Sequence, residues 1–295
     1  HGTPEEVQQK IAVARQVIAK LGLEDKIKIL ADLPGDKLRL GAFASTEYAF
    51  QKDQELTFAS GTQSPDPAKY IPIDYPQIAS LLSLGQVVTL GDGESAFEVV
   101  RILDQDTFIG RACNRGHVPS LKAFNVGRGI DQLDHITQKT IAHIKGLSQI
   151  RPEWIAFSFV NSATFLQRAK RLLHQYGADT WQPKIVSKIE TPLALDRLEE
   201  IIDESDVMLV ARGDLGLKVP IEHLGLAQKK IIALTKKAGK EVIVSTQILD
   251  SLLSYYVPAR ADVLDLTNII LDGADGIMLA KETGISLKPG YSVSV

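Results

Sequence analysis

The stretch PKIVSKIE (183–190), a helical segment, and then VMLVARGDLG (207–216) decide how this chain is read. Residues 185–189 and 207–210 are short apolar runs, the pattern of parallel strands buried on both faces. Between them Thr191 supplies a capping hydroxyl and Pro192 suits a first turn, and Leu195, Leu198 and Ile202 repeat at helical spacing. Each strand ends in charge: Lys188 and Glu190 on the first, Arg212 and Asp214 on the second. Ionisable groups gathered at the C-terminal ends of buried strands are how α/β active sites are built.

Working outward, strand and helix patterns alternate along most of the chain. Thr3, Pro4 and Glu6 predict the start of a helix whose apolar stripe is Val7, Ile11, Ala14, Ile18 and Leu21, with Gly22 as its stop. Six parallel strands are expected, over 27–32, 154–159, 184–189, 207–211, 241–246 and 275–280. Their polar ends hold Asp32, Ser158, Lys188 with Glu190, Arg212 with Asp214, Thr246 with Gln247, and Glu282. Polar ends spread over every strand, all on one side, predict a (β/α)8 TIM-type barrel, incomplete in this chain; an open doubly wound sheet would gather them at one switch point. From residue 42 to 129 the texture changes. Strand-like pieces alternate with Gly, Pro, Asp and Ser turns, and only residues 77–84 suggest a helix. The expected domains are therefore 1–41 as the first part of the barrel, 42–129 as an inserted small β-barrel-like lid domain, and 130–295 as the second part of the barrel.

Composition narrows the class. Apolar residues are 44% of the 295, ample for a core, and 33 basic against 36 acidic residues give no footprint for nucleic acid or a membrane surface. A single cysteine, Cys113, excludes an intrachain disulfide framework and points to a reducing, cytoplasmic setting. No apolar run approaches the ~20 residues of a membrane helix. The opening HGTPEEVQQK has no signal-peptide pattern. The six histidines lack metal spacing, and Trp154, Trp181 and Cys113 read as packing residues.

The chemistry follows from the strand ends. Glu190 and Asp214, from neighbouring strands, are two hard oxygen donors suited to one Mg²⁺ or Mn²⁺, with water and substrate oxygens completing the shell. Lys188 lies two residues before Glu190 and faces the same way in an extended strand. Its ammonium could stabilise developing negative charge. A salt bridge to Glu190 alone is the simpler role for it. The turn 211–216 presents backbone N–H groups suited to a carboxylate or phosphate. Thr246 is a strand-end hydroxyl that could equally cap the next helix.

These residues carry a family resemblance. SKIE, MLVARGDLG, STQILDS, PARAD, LDGADGIML and Glu282-Thr283 resemble, in order and spacing, the barrel core of the pyruvate kinases, and ADLPGDKLRLG, KAFNVG and ITQKT resemble the segments that flank that family's inserted domain. The resemblance implies phosphoryl transfer between phosphoenolpyruvate and ADP, giving pyruvate and ATP by way of an enolate. It implies Lys188 and Thr246 as catalytic residues and Ala211, Gly213, Asp214 and Thr246 around the substrate. Arg39, Lys122 and His1 fall at nucleotide or phosphate positions, and Asp32, Leu33 and Lys37 in the monovalent-cation region. Lys37 stands where potassium-dependent members carry glutamate, which implies activity without K⁺. A homo-oligomer is the family norm. The sequence also departs from the pattern. Pro34 replaces a lysine, Gly91-Asp92-Gly93 replaces Asp-Asp-Gly, and Ala280-Lys281 replaces Ser-Gly. The family's first two barrel strands have no counterpart, and His1-Gly2 resembles the end of the second. Two alternatives stay open: a catalytically impaired homologue acting as a scaffold or partner, and another metal-dependent barrel enzyme of the aldolase or lyase type.

Overall fold

The structure is a computed structural model that describes residues 4–35, 37–43, 47–126, 136–177 and 180–295. His1 and the predicted cap Thr3 lie outside the described residues, as does the expected boundary at 129–130. The chain divides into two compact units, one formed by residues 1–35, 134–212 and 225–295, the other by 36–133 and 213–224.

The larger unit is built on six parallel strands: β1 (Leu30–Leu33), β2 (Trp154–Phe157), β3 (Lys184–Ile189), β4 (Val207–Ala211), β5 (Glu241–Ser245) and β6 (Gly276–Met278). Their order in the sheet is their order in the chain. A doubly wound sheet reverses direction at a switch point, whereas one-way winding is the barrel arrangement, here as a half-barrel sheet with β1 and β6 at its edges. Helices α1 (Pro4–Lys20), α2 (Gln138–Ile150), α3 (Ala163–Gly177), α4 (Pro192–Asp196), α5 (Leu198–Glu204), α6 (Arg212–Gly216), α7 (Leu224–Lys237), α8 (Arg260–Leu271), α9 (Lys281–Gly284) and α10 (Pro289–Ser294) precede, connect and follow the strands. None is long and apolar enough to cross a membrane among the described residues.

Along β4 every residue is buried. Val207, Leu209 and Ala211 alternate onto the face that packs with Ala156 of β2 and Val186 of β3. Carboxylates meet the N–H groups where strands begin. Glu153 accepts from Ile29 at 2.8 Å, Asp206 from Ile185 at 2.7 Å, and Asp275 from Val242 at 2.8 Å.

Several local expectations differ. The helix opened by Thr191, whose Oγ1 accepts from the Ala194 N–H at 3.1 Å, breaks at Arg197 into α4 and α5. Its buried residues are Ala194, Leu198, Ile201 and Ile202, with Leu195 only half-buried. Gly22 does mark the end of α1, at φ +64°, the left-handed region open to glycine. The strand expected to reach residue 159 stops at Phe157 because Phe159 turns to φ +54°. Trp181 is buried and donates Nε1–H to the Pro152 carbonyl, but Cys113 is exposed: it lies just past the end of a strand and contributes nothing to the core.

The smaller unit is β-rich. Its six-stranded sheet runs in the order Phe124–Asn125, Val87–Leu90, Ser95–Ile102, Thr107–Ala112, Glu55–Ser60 and Ile71–Ile73, antiparallel except for the last pair. A single 3₁₀ turn at Ile78–Leu81 is the helical element within 77–84. Phe50, Phe58, Phe97, Phe108 and Phe124 form the centre, with ring centroids 4.8 Å apart for Phe50–Phe97, 5.0 Å for the stacked Phe58–Phe108 and 5.1 Å for the edge-on Phe58–Phe97. Residues 213–224 join this unit rather than the one whose strand precedes them. The Lys37 ammonium donates to the Asp214 carboxylate, and Leu217 packs over Gly93, where an added Cβ would stand 3.2 Å from its Cδ2.

Two stability outcomes follow. Phe97→Ala removes a ring shared by two aromatic contacts and should destabilise the protein by about 3–5 kcal/mol, read from chemical denaturation. Burial raises the Asp275 pKa, but the Lys236 and Val242 donors outweigh it and the net shift is downward. A carboxylate lowered in the folded state adds stability that is present above its unfolded pKa, about 3.9, and is lost as pH falls through the folded value. Asp275→Asn should therefore be less stable than the parent at pH 7, and the two melting curves should converge below about pH 4.

Candidate active site

The C-terminal ends of β1, β2 and β3 converge on one ammonium. The Lys188 Nζ donates to Ser158 Oγ at 2.9 Å and to both oxygens of Asp32, at 3.1 and 3.3 Å, and lies 3.2 Å from Glu190 Oε1. Strand periodicity explains the meeting. Ala156 and Val186 face the inner packing cluster, so Ser158, Lys188 and Glu190 fall on that same side two or four residues further on. The Lys188 side chain is only 12% exposed and Glu190 1%.

Glu190 has a second anchor. Its Oε2 accepts the Phe159 N–H at 2.7 Å, from the residue that turns left-handed after β2. The ring of Phe159 lies over Gly35, where an added Cβ would crowd its Cδ2 and force the ring to shift. Ser158 also donates to the Leu33 carbonyl at 2.9 Å, tying the ends of β1 and β2 together. Burial is the largest influence on Lys188 and favours the neutral amine, but the charges of Glu190 and Asp32 and their hydrogen bonds overcome it, and the pKa is raised. Lys188 is thus cationic throughout the physiological range.

The remaining sequence-predicted residues fall into two further groups. In the larger unit, Ala211 ends β4 and pairs in register with Ser245 of β5, and Thr246 follows at φ +75°. In the smaller unit, Asp214 of α6 pairs with Lys37, Lys122 lies 3.5 Å from Glu94, and Arg39 donates to the Leu121 carbonyl at 3.4 Å. Gly213 precedes Asp214 in α6. Leu33 is buried in β1, and its carbonyl is the acceptor for the Ser158 hydroxyl. Ser158 is expected only as a polar strand end, readable as the one polar residue in the apolar run WIAFSFV; nothing in the sequence marks the Phe159 N–H or the left-handed turn at that residue.

No group of three or more His, Cys, Asp and Glu side chains suited to a metal occurs among the described residues. What the site offers is carboxylate oxygen without sulfur or imidazole, the donor chemistry of a hard cation such as Mg²⁺ or Mn²⁺ that keeps several waters. With that donor set in place, the comparison with known proteins is direct. The profile of the pyruvate kinase barrel domain matches residues 1–293.

The chain belongs to the pyruvate kinase family.

The pyruvate kinase of Thermococcus litoralis is 33% identical over 295 residues, which is all of this chain and 61% of that protein. That of Thermotoga maritima is 32% identical over 295 residues, again all of this chain and 62% of the relative. The crystal structure of pyruvate kinase from Pyrobaculum aerophilum superposes with a TM-score of 0.88 at 28% identity, covering all of this chain and 64% of that one. The chain thus spans a little under two thirds of the length of these relatives.

The Lys188 environment is testable by itself. In Glu190→Gln the largest counterweight to burial is gone, and in the Asp32→Asn, Glu190→Gln double variant both are gone. The Lys188 pKa should fall with each step, ending below its ordinary 10.5, as read by NMR titration of the lysine ¹³Cε signal.

Proposed function

We propose that this chain carries the catalytic half-site of a pyruvate kinase: transfer of a phosphoryl group between phosphoenolpyruvate and ADP, giving pyruvate and ATP. The observation that supports it most is the Lys188 ammonium, buried yet permanently charged at the strand end of a family whose relatives are named for that reaction. In the transfer the bond from phosphorus to the enol oxygen breaks, a bond to a terminal ADP oxygen forms, and the enolate left behind takes a proton at its methylene carbon. Negative charge builds on the phosphoryl oxygens and the enolate oxygen, and a fixed ammonium in a largely water-excluded site stabilises both.

The other roles are assigned on the same reading. Glu190 and Asp214 would hold the divalent cation, which when bound neutralises phosphoryl charge and orients substrate oxygens. Backbone N–H groups of Ala211, Gly213 and Asp214 suit the substrate carboxylate. Thr246 delivers the proton to the enolate through water. Arg39 and Lys122 are cations for the nucleotide phosphates, and His1 is assigned with them from the sequence alone. Lys37, whose ammonium already meets Asp214, supplies the charge that a monovalent cation provides in potassium-dependent members, with Asp32 and Leu33 belonging to the same region. The protein is read as a cytoplasmic homo-oligomer.

A lactate dehydrogenase-coupled assay with phosphoenolpyruvate, ADP and Mg²⁺ tests this. Pyruvate formation should be unchanged within twofold between K⁺-free and K⁺-containing buffer. Lys188→Met should lower kcat at least about a hundredfold, the scale of losing one transition-state donor, while retaining a cooperative melt. No pyruvate from the parent chain, or full activity in Lys188→Met, would refute the assignment.

A further inference from the structure

The loop after β5 holds the least ordinary backbone of the larger unit. Thr246 and Gln247 are consecutive non-glycine residues with φ +75° and +54°. Residues with a Cβ hold that conformation only where the surroundings impose it. Here the imposing groups are a buried cation on the carbonyl side and a buried anion on the N–H side.

Arg212, the first residue after β4, turns its guanidinium to three successive carbonyls. Nε donates to Ser245 O at 3.3 Å and Thr246 O at 3.1 Å, and Nη2 to Thr246 O at 2.6 Å and Gln247 O at 2.9 Å. Nη1 is taken by Asp265 of α8 at 2.6 Å, with Gln228 of α7 at 3.5 Å. Every edge of the planar fork is used, which a lysine with one compact ammonium cannot reproduce. Glu282, 1% exposed in α9 just past β6, takes the next two amides. Its Oε1 accepts from Ile248 N at 3.1 Å and Leu249 N at 3.4 Å, and its Oε2 accepts from Ala280 N at 2.7 Å. Five consecutive residues, 245–249, are thus gripped from both neighbouring strands.

We infer that Arg212 and Glu282 are positioning residues for Thr246, clamping its peptide in the left-handed conformation and thereby fixing where its hydroxyl stands for proton delivery to the enolate. This rests on the role given to Thr246 above. Neither residue needs to touch substrate. Their effect should fall on turnover rather than on substrate affinity, because a displaced hydroxyl costs the proton step and leaves ground-state contacts intact.

The experiment joins two readouts on the intact chain. Hydrogen–deuterium exchange at residues 246–249 reports the clamp whether or not the chain is active. Arg212→Lys and Glu282→Gln should each accelerate it at least tenfold, and Asp265→Asn, which leaves Arg212 in place without its anchor, serves where Arg212→Lys fails to fold. Kinetics with phosphoenolpyruvate, ADP and Mg²⁺ report the function. Each variant should lose at least tenfold in kcat with KM for phosphoenolpyruvate within twofold, and in a Thr246→Val background neither should lower kcat further. Unchanged exchange at 246–249 would overturn the clamp. Losses that multiply with that of Thr246→Val, or a change confined to KM, would overturn its action through Thr246. If the parent chain makes no pyruvate, the reading of the reaction fails, and the exchange measurement still decides the clamp.

Discussion

The Lys188 ammonium is a charge removed from water, and that removal is tolerated only because β1, β2 and β3 end together. Burial at 12% exposure by itself lowers the pKa of an ammonium and favours the neutral amine. The carboxylates of Asp32 and Glu190 prevent this, and Ser158 fills a remaining donor direction. Two acids around one base leave the cluster net negative. A cluster of that sign keeps its lysine charged and favours a further cation. The positive charge needed for phosphoryl transfer and the affinity for a divalent ion would thus arise from one arrangement.

The arrangement depends on register. Asp32 stands level with Ala156, and Ala156 with Val186. A slip of one residue in either pairing would turn Ser158 or Lys188 to the opposite face of the sheet. The opposite ends of the strands help to hold the register. There Glu153, Asp206 and Asp275 accept the first N–H groups of segments that would otherwise leave donors unsatisfied. One end of the sheet is closed by acids bonded to backbone, and the other opens into acids and bases bonded to each other. This is the usual separation of stability from chemistry in barrel folds.

How much of this was legible in the sequence depends on the range of the interaction. Apolar runs located all six parallel strands, because burial leaves a local trace even in the edge strands β1 and β6, which are only partly buried. Helix ends with a glycine or a hydroxyl cap were readable for the same reason. The break at Arg197 and the left-handed residues Phe159, Thr246 and Gln247 were not, since tertiary contacts impose them on ordinary side chains. Residues 213–224 joined the smaller unit through Lys37 and Gly93, partners more than a hundred positions away. Asp32 shows the limit most clearly. The family resemblance places it with a monovalent cation, while strand register sets it against Lys188, 156 residues further along the chain. Linear spacing carries no information about a pairing of that kind.

Lys37 and Lys188 are both ammonium groups held by carboxylates, yet they answer different problems. Lys188 is fixed from three strands and cannot leave without removing the cation beside the buried Glu190. Lys37 reaches Asp214 through one oxygen, and the other accepts no hydrogen bond among the described residues. Asp214 therefore retains a coordinating face while its charge is already partly balanced. A diffusible monovalent ion would supply the same balance only at a concentration above its dissociation constant, whereas a tethered lysine is present in every molecule. On the proposed reading, that substitution exchanges a binding equilibrium for a covalent charge and removes one requirement from the medium. On that same reading, a lysine tethered to Asp214 also keeps the charge at one carboxylate oxygen, and the other oxygen would be the one available to a divalent ion.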